Sequence, residues 1–321
     1  MTLETRPTAR GTQWRGTALR GLVSVVLLGF IMSRLDLAAV GNAIATLDWT
    51  WMLAAVGVVY AAVALSAVKW GVLLRARGFT IGFWRLVRHY MVGFFFNNFL
   101  PTSVGGDVVR AWDVGRDAGD APEGAASVIS ERLIASVGLA LTALLGLPFV
   151  PIDTQTAAAV GVVFVVGVGL AGLFMIPSLG ERLVGSSMGG RFEHVGGWVG
   201  RATSAVGATL RRPSVTLGVL ALSVGFQVLV AAVNWCIFRA LGVPLPLAEC
   251  VVYTSIVSAV TMVPVSISGH GVREAGYAYF FGFAGVPESQ AVVASLLFFA
   301  VVAVSTAPGA ILFALGRRSG S

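Results

Sequence analysis

The sequence is poor in charge: 12% of its residues are Asp, Glu, Lys or Arg, about half the share of a soluble domain. Apolar residues make up 56% and apolar runs recur along the whole length. A cytosolic enzyme is thereby excluded, and a multi-spanning membrane protein is indicated. Lysine is nearly missing, Lys69 being the single copy. No lysine cluster exists to bind nucleic acid, and the arginines behind the net charge of +7 flank apolar runs instead. The only cysteines, Cys236 and Cys250, form no CxxC pair and no disulfide framework, so both read as packing residues. His89, His194 and His270 are too scattered to suggest a metal site, and the HExxH, GxSxG, P-loop and EF-hand patterns are missing. Neither a catalytic residue nor a cofactor is expected. Gly167 to Gly172 fits GxGxxG, but no strand precedes it, and it is expected to serve close helix packing, as is the stripe Gly138, Thr142, Gly146.

Six apolar stretches are long enough, or nearly so, to cross about 30 Å of hydrocarbon as helix. They cover roughly 17–33, 51–69, 127–148, 156–176, 215–241 and 290–315. The first follows Arg6, Arg10, Arg15 and Arg20 and reads as a retained anchor behind a basic tail, 1–16. Two further apolar segments, about 85–100 and 247–264, stop at Pro101 and Pro264 and run into glycine-rich, charged sequence. Neither reads as a plain span.

These two regions repeat one another. Pro101, Ser103, Gly106, Val109 and Arg110 align without a gap on Pro264, Ser266, Gly269, Val272 and Arg273 at an offset of 163, and Tyr90 falls on Tyr253. If each truncated segment crossed once, Arg75, Arg77, Arg85 and Arg88 would lie opposite Arg182, Arg191, Arg201, Arg211 and Arg212, against the positive-inside rule. If each enters, breaks and returns, or is followed by a second helix that spans, the basic loops and both termini share the cytoplasmic side. Three full spans separate the copies, so the repeats, about 51–148 and 215–315, are predicted to be inverted. The expectation is one all-α transmembrane domain over 17–321, with about six full spans and two broken or re-entrant segments. Inverted repeats with broken helices place a site near the midplane in secondary transporters. In the polar stretch 177–214, Phe192, Val195, Val199, Ala202, Val206 and Leu210 form a helical stripe with arginines off it. It reads either as an amphipathic helix on the inner leaflet or as a linker helix packed on the bundle.

Ionisable groups in a bilayer are expensive and face a cavity or one another. Here they gather at the repeats. Asp107 and Arg110, three apart, and His270 and Glu274, four apart, can each meet on one helix face. Arg110, Arg273 and Arg132 suit an anionic headgroup, guanidinium being matched to bidentate phosphate contact. Helix N-termini after Pro101 and Pro264 would add N–H donors. The competing reading makes Asp107 with Arg110, and His270 with Glu274, ion pairs and caps that hold the breaks together. Glu131 and Arg132 are adjacent and so point in different directions; with Asp107, His270, Glu274, Asn97 and Asn98 they complete the expected headgroup-binding set, Asn97 and Asn98 being expected to bond unwound backbone or a ligand. Pro101, Ser103, Gly106, Pro264, Ser266, Gly269 and Gly271 are the expected break residues.

The runs from Asn98 to Arg110, from Ser127 to Arg132 and from Val263 to Glu274 resemble the signature of the lysylphosphatidylglycerol synthase transmembrane region family, the flippase-like membrane proteins. The resemblance spans about 18–315. It implies a multi-pass protein of a bacterial or archaeal plasma membrane that moves an anionic lipid or lipid-linked phosphate between leaflets. It also implies motif positions at Asp107, Arg110, Glu131, Arg132, Gly271, Arg273 and Glu274. The family's second motif has Gly-Gly-Leu-Gly or similar where this chain has Ser268, Gly269, His270 and Gly271. Relatives accompany soluble transferases, so a membrane subunit of a glycosyl or aminoacyl transfer system, with a separate soluble partner, is the alternative; a structural or assembly protein is another. The soluble aminoacyl-transfer domain of the synthases does not follow within this sequence, so aminoacyl transfer is not expected of it. The oligomeric state is left open.

Overall fold

The computed structural model describes residues 45–99, 105–174, 201, 204–262, 269 and 271–318. Among them lie ten α-helices of 11 residues or more and no strand. They are α1 (Trp49–Ala76), α2 (Phe83–Phe99), α3 (Gly105–Ala118), α4 (Ala121–Gly146), α5 (Thr154–Phe174), α6 (Pro213–Ala240), α7 (Leu247–Met262), α8 (Val272–Gly282), α9 (Glu288–Thr306) and α10 (Pro308–Arg318). Four stretches are long and apolar enough to span: 49–76, 121–149, 213–240 and 288–315. Thr154–Val166 and Leu247–Met262 are shorter apolar helices. The expected span 17–33 lies outside the described residues. The expected span 290–315 is interrupted at Ala307, because Pro308 has no N–H to continue the ladder.

Helix starts follow from capping chemistry. Asp48 accepts from the Thr50 N–H at 2.8 Å, and Asp120 from the Glu123 N–H at 3.2 Å, each taking up one of the free donors of a first turn. Pro122 and Pro213 stand in the first turn, where proline loses nothing. Helix α1 reaches Ala76 instead of residue 69 because Trp70, Leu73 and Leu74 beyond Lys69 continue its buried face.

The duplication covers four helices. Those starting at Trp49, Phe83, Gly105 and Ala121 recur at Pro213, Leu247, Val272 and Glu288, 164 to 167 residues later. Equivalent helices α1 and α6 run antiparallel along their full length. The Asp48 N–H donates to the Ala240 carbonyl at 3.0 Å, Trp51 stacks edge-on against Trp235 at 5.2 Å, and at the far end the Arg212 guanidinium donates to the Ala76 carbonyl. Each broken segment is a helical hairpin. In the first, the backbones of Gly93 and Gly106 approach so closely that a Cβ on Gly106 would collide with the Gly93 carbonyl, while His89 faces Asp113 and Asp117 further down. In the second, Gly276 lies on Val257 and Phe281 on Tyr253, ring centroids 5.4 Å apart. Gly269 and Gly271, at φ of 76° and 84°, hold the left-handed conformations expected of break residues. Gly106 differs from the expectation: it is helical, and its lack of a side chain serves the contact with Gly93. Pro101, Ser103, Pro264, Ser266 and His270 lie outside the described residues.

Each hairpin is held by the last span of the other half. Gly146 seats Val252 of α7, and Gly309 lies on the Met91 carbonyl of α2. Gly138 admits Ser223 of α6, so the stripe Gly138, Thr142, Gly146 packs helices as expected. The GxGxxG reading is corrected at Gly169, where an added Cβ would meet nothing within 4 Å. In the 177–214 stretch, the described Val206 and Leu210 pack on Ala126 and Leu133, as the bundle-packed reading requires. Cys236 and Cys250 are buried packing residues.

Candidate functional site: a charged chamber between the halves

Five charged side chains from α1, α3 and α4 converge on one small chamber. Glu131 is its centre. Its carboxylate pairs with Lys69 Nζ at 2.9 Å and Arg110 Nη2 at 2.5 Å, and accepts from the Tyr90 hydroxyl. Arg110 also reaches Asp107 Oδ1 at 3.4 Å, and Asp107 accepts a two-pronged contact from Arg132, Nε and Nη2 each at 2.8 Å. Lys69, Arg110 and Glu131 are buried, so their desolvation has to be offset by mutual pairing. The aromatic wall contributes: the Arg110 guanidinium lies 4.2 Å from the Trp70 ring centroid and 3.8 Å from that of Tyr90. Three cations, Lys69, Arg110 and Arg132, face two carboxylates, Asp107 and Glu131, leaving one positive charge in excess.

The chamber has a volume of about 100 Å³ and is lined by both halves, with Phe226 and Gln227 of α6 and Met262 at the tip of α7 facing Arg132 and Ser136 of α4. Its two arginines differ in reach. Arg110 is 1% exposed and enclosed by its partners, whereas the Arg132 side chain is 47% exposed. A polar ligand therefore meets Arg132 first. Adjacent Glu131 and Arg132 diverge, as expected, and both end in this network.

Arg273 and Glu274 do not join it. The Arg273 side chain donates to Glu274 Oε1 at 3.0 Å and to Ser295 Oγ at 3.1 Å, and lies over the Phe299 ring. Glu274 Oε2 accepts from the Gly271 N–H at 2.6 Å, closing the start of α8. Glu274 thus caps the start of α8, while its expected partner His270 lies outside the described residues. Asn97 Oδ1 accepts from the Gly106 N–H at 2.8 Å, in the first turn of α3 instead of on the unwound backbone expected. Asn98 departs from that expectation by donating to Thr306 Oγ1 of the other half at 2.9 Å. Among the described residues no group of three potential metal ligands is found.

Sequence reasoning did not assign Lys69, Gln227 or Trp70 to the site. Lys69 carried a readable signal: it is a lone lysine inside an apolar span, which needs a carboxylate partner. Gln227 and Trp70 carried none, since either fits a packed span.

Helices of this length and apolarity, wrapped around buried charge, define a multi-pass integral membrane protein. The profile of the lysylphosphatidylglycerol synthase transmembrane region matches residues 17–309, and the chain belongs to that family. No curated protein matches it.

Proposed function

We propose that this protein binds an anionic lipid, or a lipid-linked phosphate, in the charged chamber and carries its headgroup between leaflets. The observation that carries the proposal is the excess positive charge of the chamber, reached through the half-exposed Arg132 side chain. A phosphate arriving there neutralises the surplus and exchanges for Asp107 as the partner of Arg132, with Lys69 and Arg110 behind it adding to the attraction. Support for inverted repeats comes from the antiparallel α1 and α6 and from the hairpins on either side of them. On this reading the region 17–33 and α5 complete the spans, the termini are cytoplasmic by charge bias, and the membrane is a bacterial or archaeal plasma membrane.

The test is native mass spectrometry of lipid retained by the purified protein, with lipid movement measured in proteoliposomes. Arg132→Ala is expected to lose a discrete anionic lipid and to slow movement by about tenfold or more, the loss of a charge-assisted contact. Bulk lipid retained equally by wild type and variant, with equal rates, would refute the reading.

A further inference from the structure

A second cavity, of about 510 Å³, lies away from the charged chamber, between α5, α7 and α8. Its volume falls within the range of about 300–1,000 Å³ typical of small-molecule sites. One pole is polar. Asp153 and Gln155 line it, and Thr156 shares a hydrogen bond with the Tyr279 hydroxyl at 3.0 Å. The remainder is hydrocarbon: Val160, Phe164, Ala259 and Phe280 carry it inward to the last turns of α7, beside the second break. Asp153 stands in the connection between α4 and α5, on the side that the charge bias assigns to the exterior. Among the described residues no arginine or lysine lines the cavity, and the one charged group there is a carboxylate.

We propose that this cavity is a separate lipid site, which takes one acyl chain of a membrane phospholipid along its apolar wall and holds a headgroup N–H or O–H donor at Asp153. The surrounding medium determines the occupant. A long apolar cleft inside the hydrocarbon band, flanked by the outward-facing Val162 and Val165 of α5, is open to lipid chains and closed to any water-soluble ligand. The mouth selects the headgroup. Asp153 caps α5, accepting from the Thr156 N–H at 2.9 Å and also from the Thr156 hydroxyl and the Gln155 N–H; being fully exposed, its carboxylate keeps lone pairs for one further donor. A bare phosphate is repelled there, whereas an ammonium or hydroxyl beyond the phosphate is accepted. The chemistry is complementary to that of the chamber: one place reads the phosphate, the other the donor-bearing end and the tail. The proposal stands without the chamber reading.

The full-length protein is reconstituted in vesicles of phosphatidylethanolamine and phosphatidylglycerol, each containing in turn a trace of one of these lipids with a diazirine at the end of an acyl chain. After illumination, adducts are mapped by mass spectrometry. Adducts on Phe164 and Ala259 are expected to exceed those on Val162 and Val165. Ala159→Trp, which fills the cavity, is expected to abolish the inner adducts and keep the outer ones. Asp153→Asn preserves the helix cap and is expected to lower the inner adducts about threefold, the scale of an exposed ionic contact. Preference for the ethanolamine probe that disappears in Asp153→Asn identifies an ammonium as the donor; the same loss with the glycerol probe identifies a hydroxyl. Inner adducts no stronger than outer ones in wild type would overturn the proposal, as would inner adducts unchanged in Ala159→Trp that retains its thermal transition. Should that variant fail to fold, unchanged labelling in Asp153→Asn overturns the assignment of the mouth.

Discussion

Replacing Glu131 by Gln tests whether the charged network is built around this one carboxylate. The substitution preserves size and a hydrogen-bond acceptor for Tyr90, and removes the negative charge shared by Lys69 and Arg110. At an effective dielectric of about 20, ion pairs at 2.9 and 2.5 Å have gross attractions of about 6 and 7 kcal/mol. Most of this only offsets desolvation, and a buried pair broken from one side costs about 3–5 kcal/mol net. Arg110 retains Asp107 at 3.4 Å, while Lys69 has no second carboxylate among its salt bridges, so the cost falls mainly on the lysine. The expected loss is therefore about 3–5 kcal/mol. Lys69→Met leaves Glu131 with Arg110 and Tyr90 and is expected to cost about 1 kcal/mol, a typical single hydrogen bond. In the double variant no unpaired lysine remains, so the two losses should fall short of additivity by about 1–3 kcal/mol. Reversible unfolding of all four proteins in lipid-mimetic micelles measures the cycle. Glu131→Gln costing under 1 kcal/mol, or strict additivity with Lys69→Met, would refute the argument.

Two further outcomes follow from close contacts. Gly106→Ala forces α2 and α3 apart, because the new Cβ meets the Gly93 carbonyl and the Asn97 side chain, and is expected to cost at least about 1–3 kcal/mol; Gly276→Ala, 3.3 Å from flexible Val257 methyls, should cost under about 1 kcal/mol in the same unfolding assay. Asn98→Ala removes the bond to Thr306 across the halves and should lower stability by about 1 kcal/mol, detectable as faster hydrogen exchange at the end of α2.

What could be read in the sequence, and what could not, divides along physical lines. The hairpins were legible because Pro101 and Pro264 end apolar runs too short to cross, and because scarce residues such as Arg110 and Arg273 recur in register. Glu131 and Arg132 were legible as charges in an apolar region. Their partners were less so: a helix sequence gives the azimuth of Lys69 only relative to its own neighbours, and the side chain that receives it lies 62 positions away. The enclosure of Arg110 by Trp70 and Tyr90 depends on the approach of α1 to the hairpin, which no local pattern encodes. Equivalent arginines also fared differently, since Arg110 finds Glu131 on α4 while Arg273 is satisfied by Glu274 next to it and by Ser295. The repeat preserved the break and let the surroundings diverge. Gly169 misled because glycine in an apolar helix implies packing only where another helix arrives, and among the described residues none does there.

The glycine seats at residues 146 and 309, themselves 163 apart, mean that each half lends the other a fastening beyond the contacts it makes within itself. A polypeptide consisting of one half would present a hairpin gripped from one side only and a glycine seat with no hairpin to hold. Two such copies could complete one another only if they entered the bilayer facing opposite ways. An ancestral half-length protein would thus have depended on indifferent insertion, and fusion into one chain relieves the descendant of that lottery by fixing one partner of each orientation in every molecule.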